Sequence, residues 1–95
     1  MFRFETVKIG GSEYEFFSYS VGNAPLLILK GKKGYVMCGY LNLEAAEKLG
    51  DTAVRASGVK DLDTLLGASV AGVTGKAKLL GINEGQKVSE IIAKL

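Results

Sequence analysis

A lone cysteine, Cys38, is the side chain of this sequence with the most evident nucleophilic chemistry. A thiol reacts as its thiolate, and the dipole and backbone N–H groups of a nearby helix N-terminus favour that form. Cys38 lies four residues before Asn42, whose side chain is of the type that caps helices. Gly39 has no side chain, so a ligand could approach the backbone there. We therefore predict a binding site for a small anionic ligand over Cys38, Gly39, Tyr40 and Asn42, where a strand is followed by a helix.

The absence of histidine limits what this cysteine could catalyse. Without imidazole there is no Cys–His dyad, no Ser–His–Asp triad and no histidine ligand for zinc or iron. A thiolate at Cys38 would need Lys, Glu or Tyr as its base, and no spacing identifies one. Free cysteines are also most often small buried core residues. Binding without catalysis is therefore the leading hypothesis, and a cysteine-dependent enzyme acting on a small anionic substrate is the alternative. The residues predict no metal and no cofactor.

A second candidate for anion binding is the segment Thr74, Gly75 and Lys76. It resembles the end of a phosphate-binding loop, in which backbone N–H groups and a lysine meet a phosphate at a helix start. The full motif would need glycine where Val70 stands and serine or threonine where Ala77 stands. An ordinary helix cap at Thr74 explains the same residues.

The lysines of one predicted turn, Lys30, Lys32 and Lys33, are a third place where phosphate or an acidic partner could bind. Charges on such a turn also keep strand edges from pairing with other chains, which is the simpler interpretation. Twelve Lys and Arg against ten Asp and Glu give a net charge of only +2, which demands neither nucleic acid nor an anionic membrane.

Aromatic residues in the predicted strands raise nucleic-acid binding as a further alternative, because exposed rings can stack on bases. These residues are Phe16, Phe17, Tyr19, Tyr35 and Tyr40. Only two arginines accompany them, so burial in the core or between subunits is favoured. The first predicted hairpin has apolar residues on both faces, more than one helical layer covers, and we therefore expect a homo-oligomer.

The elements that position these residues begin with two hairpins. Alternation over Phe2–Ile9 changes parity near Thr6, which predicts a bulge, and Gly10-Gly11 predicts a tight turn. The run Leu26–Leu29 is apolar throughout, as in a central strand covered on both faces. The segment Gly31–Gly34 predicts a second turn, leading into a strand over residues 35–41.

The second half of the sequence predicts helices around one more strand. Alanines and leucines at helical spacing predict a helix over residues 43–56 that ends at Gly58. A short helix from Asp61, a strand over 68–73, a brief helix from Thr74 and an amphipathic C-terminal helix follow. Together, these elements predict that residues 1–95 form one domain with an α+β fold. Its mixed or mainly antiparallel sheet has about five strands, and its helices lie mainly on one face.

Composition indicates a protein of the cytoplasm. Glu5 lies within the N-terminal segment, which lacks the apolar core of a signal peptide. The longest uncharged stretch, Phe16 to Leu29, has fourteen residues, whereas a membrane helix needs about 20. One cysteine allows no internal disulfide, which suits a reducing compartment.

Residues 24–28, the turn Lys32-Lys33-Gly34, and residues 34–42, 44–51, 74–77 and 81–85 form a recognisable set of stretches. They closely resemble the YunC-like family of bacterial and archaeal proteins, the domain of unknown function numbered 1805. At Lys87-Val88 the chain departs from a Ser-Gly pair frequent in the family. The resemblance implies a small, soluble, cytoplasmic α+β protein. It transfers no activity, substrate, cofactor or catalytic residue, although Cys38-Gly39 lies inside the family's most recognisable stretch.

Overall fold

A computed structural model describes residues 2–95, which form a mixed six-stranded sheet with short helices on both faces. The strands are β1 (Phe2–Ile9), β2 (Ser12–Ser20), β3 (Pro25–Lys30), β4 (Tyr35–Met37), β5 (Ala53–Ala56) and β6 (Val70–Val73). The helices are α1 (Leu43–Leu49), α2 (Leu62–Gly67), α3 (Gly75–Leu79) and α4 (Val88–Ile91), the last continued by a 3-10 turn over Ile92–Lys94. Strand order in the sheet follows the chain, and only β4 and β5 are parallel.

The first hairpin turns at Gly10 and Gly11, whose φ angles of 57° and 86° are favourable only for glycine. The register from Phe2 opposite Tyr19 to Ile9 opposite Ser12 is regular, so the predicted bulge near Thr6 is wrong. The parity of the apolar residues changes because the two pairs lie on different faces of the sheet. Val7 and Ile9 pack against the main core, whereas Phe2 and Phe4 lie on the opposite face.

The main core lies between one face of the sheet and the layer formed by α2, α3 and α4. Strand residues such as Phe16, Leu27 and Leu29 are fully or almost fully buried there. The predicted stripe of the C-terminal helix supplies Val88, Ile91, Ile92 and Leu95, all of which are buried. On the other face, α1 packs through Ala46 against Met37 and Ala53. The prediction that the helices gather mainly on one face is therefore confirmed.

The predicted helix over residues 43–56 is wrong in its second half. The helix α1 ends at Leu49, and Gly50 follows with a φ of 78°, its N–H bonded to carbonyl oxygens of the last turn. Residues Ala53–Ala56 instead form β5, parallel to β4. Ala53 and Ala56 lie three residues apart and are both completely buried, so their spacing imitated a helical stripe. Because this segment is an additional strand, the sheet has six strands, where the sequence predicted about five.

The helix starts that the sequence predicted are present. Asp61 and Thr64 form a reciprocal capping box on α2. Thr74 caps α3, and Asn42 caps α1. Among residues 2–95, no helix has the length and apolar character needed to cross a bilayer.

Candidate anion-binding site

Cys38 lies in the main core. Its side chain is 2% exposed, and its Sγ accepts a hydrogen bond of 3.3 Å from the backbone N–H of Leu27. The Cys38 N–H in turn donates to the Leu27 carbonyl at 3.2 Å. The sulfur therefore fills core volume and satisfies a buried backbone donor, which is how free cysteines usually behave. This burial weighs against attack by the thiol on a substrate from solution.

The other residues of the predicted strand-to-helix site do not converge on one cavity. Gly39, Tyr40 and Cys38 line a shallow hollow of about 240 Å³. Asn42 lies elsewhere, and its Oδ1 accepts from Glu44 N–H at 2.8 Å and from Ala45 N–H at 3.2 Å. Two amide groups at the start of α1, those of Glu44 and Ala45, are thus already bonded within the chain.

N–H groups at the start of α3 also donate hydrogen bonds to side chains of the protein. Thr74 is 1% exposed, and its Oγ1 accepts from Ala53 N–H at 3.1 Å and from Ala77 N–H at 3.4 Å. Gly75 N–H donates to the Glu47 carboxylate at 2.8 Å. The Glu47 carboxylate therefore already accepts from one N–H of this helix start, and Thr74 links α3 to β5.

Lys76 of α3 lines a different cavity, together with the lysines of the β3–β4 turn. A pocket of about 340 Å³ lies between the β3–β4 turn and the segment that joins α1 to β5. We call it the lysine pocket. Its lining includes the residues Lys30, Lys32, Lys33, Lys76, Tyr35, Asp51 and Thr52.

Buried glycines hold the lysine-bearing turn in place. Gly31 N–H donates to the Gly34 carbonyl at 2.8 Å, and the N–H groups of Lys33 and Gly34 donate to the Leu95 carbonyl at 2.5 and 3.0 Å. A Cβ on Gly34 would lie 2.1 Å from the Thr52 carbonyl oxygen. The backbone of the turn thus packs directly against the rest of the chain, while Lys32 and Lys33 stay exposed.

Lys76 reaches the same pocket from α3. Its Nζ lies 3.5 Å from where a Cβ on Gly50 would be, so Gly50 leaves room for the ammonium group. Gly50 also provides the left-handed residue that ends α1. One glycine therefore both stops the helix and allows Lys76 to approach the turn.

The pocket is strongly positive. Its lining carries four lysines and one acidic side chain, Asp51, whereas the rest of the chain has eight basic and nine acidic residues. Asp51 accepts a hydrogen bond of 2.6 Å from the Tyr35 hydroxyl. Burial, together with this hydrogen bond and the Asp51 charge, raises the pKa of Tyr35 to about 12, so the phenol stays protonated. Within residues 2–95, Lys32, Lys33 and Lys76 make no salt bridge, and Lys30 has only a 4.0 Å contact with Glu15.

Comparisons with known proteins identify the family. Residues 37–95 match the family model described as a domain of unknown function, DUF1805. The chain belongs to this family. The predicted resemblance to YunC-like proteins is thereby confirmed.

Two relatives of this DUF1805 chain cover almost its whole length. The uncharacterized protein YunC of Bacillus subtilis is 30% identical over 93 residues, which are 94% of this chain and 92% of YunC. A crystal structure of TA1206 from Thermoplasma acidophilum, described as a protein of unknown function, is 49% identical. It superposes with a TM-score of 0.97, and the match covers 100% of this chain and 93% of that one.

Lysine side chains are the cationic groups of the residues that line the lysine pocket of this DUF1805 protein. The backbone N–H groups of Gly31, Lys33 and Gly34 are all used within the chain. Ammonium groups are compact point charges that attract anions without fixing their orientation. Such a site favours charge over shape. Within residues 2–95, no three Cys, Asp or Glu side chains lie close enough together to share a metal ion.

The sequence indicates these lysines as two separate groups and does not show that they line one cavity. Lys30, Lys32 and Lys33 stood out as one cluster, and Lys76 belonged to another candidate site. Their meeting depends on the position of α3 beside β5 and on the parallel pairing of β5 with β4, which is a tertiary property. No local pattern in the sequence predicts that Lys76 and the lysines of the β3–β4 turn line one cavity.

Proposed function

We propose that this DUF1805 protein is a binding protein for a small, multiply charged anion, such as a phosphate-bearing ligand, and that the lysine pocket is its binding site. The observation that supports this is the convergence of four lysines in a cavity whose single acidic side chain is bonded to a neutral tyrosine. Unbalanced like charges at close range repel one another, and a bound anion relieves that repulsion.

The expected affinity is modest. Exposed ion pairs contribute about 0.2–1 kcal/mol each. Three or four lysines acting on one phosphate group therefore give about 0.6–4 kcal/mol, so the affinity for inorganic phosphate alone is millimolar or weaker. A ligand with several phosphates engages more lysines at once and binds more tightly. Affinity falls as salt is added, because screening weakens exposed charge pairs.

Cys38 and Thr74 have structural roles in this proposal, and the cavity needs no chemical step. A cysteine-dependent enzyme receives no support from the surroundings of Cys38, whose sulfur is buried and bonded to Leu27 N–H. Of the predicted segment Thr74, Gly75 and Lys76, the residue that lines the lysine pocket is Lys76.

Calorimetric titration with inorganic pyrophosphate at low ionic strength tests the proposal. We expect Lys76→Gln to weaken binding about two- to fivefold, the equivalent of about 0.4–1 kcal/mol, and the double variant Lys32→Gln/Lys33→Gln to weaken it further. Lys78→Gln is the matched control, since Lys78 is an exposed lysine of α3 that does not line the pocket. If Lys78→Gln weakens binding as much as Lys76→Gln, the attraction is general to the surface and the lysine pocket is not a site.

A further inference from the structure

The face of the sheet opposite the main core is only partly covered. Helix α1 packs on it over β4 and β5, whereas aromatic side chains of β1 and β2 remain in solvent. Phe2, Phe4 and Tyr19 are 59%, 58% and 48% exposed. Phe2 and Phe17 contact each other edge to face, with ring centroids 5.2 Å apart, so the exposed rings form a cluster.

This cluster continues across the sheet to α1. Register pairs connect Phe4 to Phe17, Phe17 to Ile28 and Ile28 to Met37, so one apolar row crosses four strands. Beside Ile28 and Met37 lies a mainly apolar hollow of about 440 Å³, bordered by α1 and including Leu49, which is 78% exposed. We call this surface, from Phe2 and Phe4 to Leu49, the aromatic face.

The aromatic face is large enough for a stable interface. A fully buried aromatic side chain removes about 150–250 Å² from water, so covering three half-exposed rings removes roughly 300 Å². Leu49, Phe17, Ile28 and the neighbouring charged residues add to this. The apolar part comes to roughly 500 Å² per partner, or about 1,000 Å² for two copies, which is the lower limit of a specific interface.

Charged residues beside the aromatic face favour a second copy of this chain as the partner. Lys8 stands opposite Glu13, and Glu15 stands opposite both Thr6 and Lys30, with 4.0 Å between the Lys30 and Glu15 charges. These two lysines and two glutamates, on β1, β2 and β3, balance one another in charge, whereas the edge beside Lys30 adjoins the positive lysine pocket. A second copy of the same face, turned about a two-fold axis, is apolar in the same region and can oppose lysine with glutamate in both directions.

We propose that two copies of this chain associate through their aromatic faces to form a symmetric dimer. The association buries the rings of Phe2, Phe4 and Tyr19 and the side chain of Leu49. Its border adjoins the lysine pocket, because Lys30 and Tyr35 line both that pocket and the apolar hollow. The dimer does not depend on the ligand proposed above, so either proposal can fail without the other.

Sedimentation equilibrium between about 5 and 500 µM, without ligand, tests the dimer. The wild type is expected at twice the chain mass of 10.1 kDa. We expect Leu49→Glu and Phe4→Lys to raise the dissociation constant at least tenfold, because each places a charge inside a desolvated apolar contact. Leu79→Glu is the matched control. Leu79 is an exposed leucine, 86% in solvent, on a helix that packs on the opposite face of the sheet.

Circular dichroism melts show whether each variant is folded, and Phe4→Ser serves as a milder substitute if Phe4→Lys is not. A wild type that stays monomeric at 500 µM overturns the proposal. So does a dimer that Leu79→Glu dissociates and Leu49→Glu leaves intact. The dimer proposal is also contradicted if the wild type forms a larger species only when it is mixed with a nucleic acid or with a different protein.

Discussion

Gly34→Ala is expected to destabilise the protein strongly, because the added methyl group meets backbone. A Cβ at Gly34 would lie 2.1 Å from the Thr52 carbonyl oxygen, whereas ordinary van der Waals contact begins at 3.4 Å. The backbones must separate by more than an ångström. Gly34 does not have a positive φ, so the cost comes from the contact and not from backbone conformation.

The expected cost has two parts. Overpacking a tight site costs about 1–3 kcal/mol. Separation of the backbones also weakens the 3.1 Å hydrogen bond from Tyr35 N–H to the Thr52 carbonyl, which contributes about 0.5–1.5 kcal/mol. We expect the free energy of unfolding to fall by about 2–4 kcal/mol. With an m-value of roughly 1–1.5 kcal/mol/M, the midpoint of urea unfolding falls by about 2 M.

Gly39→Ala is the control for this measurement. Gly39 also lacks a positive φ, and a Cβ there has only Ser57 Oγ nearby, at 3.7 Å. We expect Gly39→Ala to change the unfolding free energy by less than about 1 kcal/mol, with a small gain from the reduced entropy of the unfolded chain. Equal urea midpoints for the two variants would refute the account of how the β3–β4 turn is held against Thr52.

Three further predictions concern single side chains. Cys38 should react with a thiol reagent at least a thousandfold more slowly in the native protein than in urea, because its sulfur is exposed only when the structure opens; comparable rates would contradict its burial. The raised pKa of Tyr35 means that the folded state holds this proton more tightly than the unfolded state, so its contribution to stability is complete below pH 10 and is lost as the pH rises through about 12. Urea titrations at pH 9 and pH 12 measure this. Allowing for solvent screening, we expect the free energy of unfolding of the wild type to fall by about 1 kcal/mol more than that of Tyr35→Phe. Equal losses in the two proteins would contradict the contact between Tyr35 and Asp51. Glu47→Ala should lower the unfolding free energy by about 0.5–1.5 kcal/mol, since it leaves the Gly75 N–H without its carboxylate; an unchanged melting temperature would count against this contact.

Local signals in the sequence were sufficient for most of the fold. The Gly10-Gly11 turn, the Asp61 and Thr74 caps and the C-terminal apolar stripe each depend on residues within one turn or one helix. The segment Ala53–Ala56 misled the helix prediction. Alanine is small enough for a buried strand and favourable in a helix, so only the pairing of this segment with β4 decides its structure.

The candidate site was much less predictable than the fold. The sequence indicated Cys38, Gly39 and Tyr40, but not that the Cys38 sulfur would serve as an acceptor for Leu27 N–H inside the core. It also indicated lysines, but not that Lys76 would line the same cavity as Lys32. Both facts depend on which distant segments pack together, and no spacing in the sequence encodes that directly.

Mapping pyrophosphate onto the protein residue by residue tests the central claim most directly. In a titration followed by two-dimensional ¹H–¹⁵N NMR at low salt, we expect saturable shifts of the backbone signals of Lys32, Lys33, Asp51 and Lys76. The signals of Gly39 and Tyr40 should stay in place. Shifts concentrated around Gly39 and Tyr40, or no saturation at any residue, would contradict the assignment of the lysine pocket as the binding site.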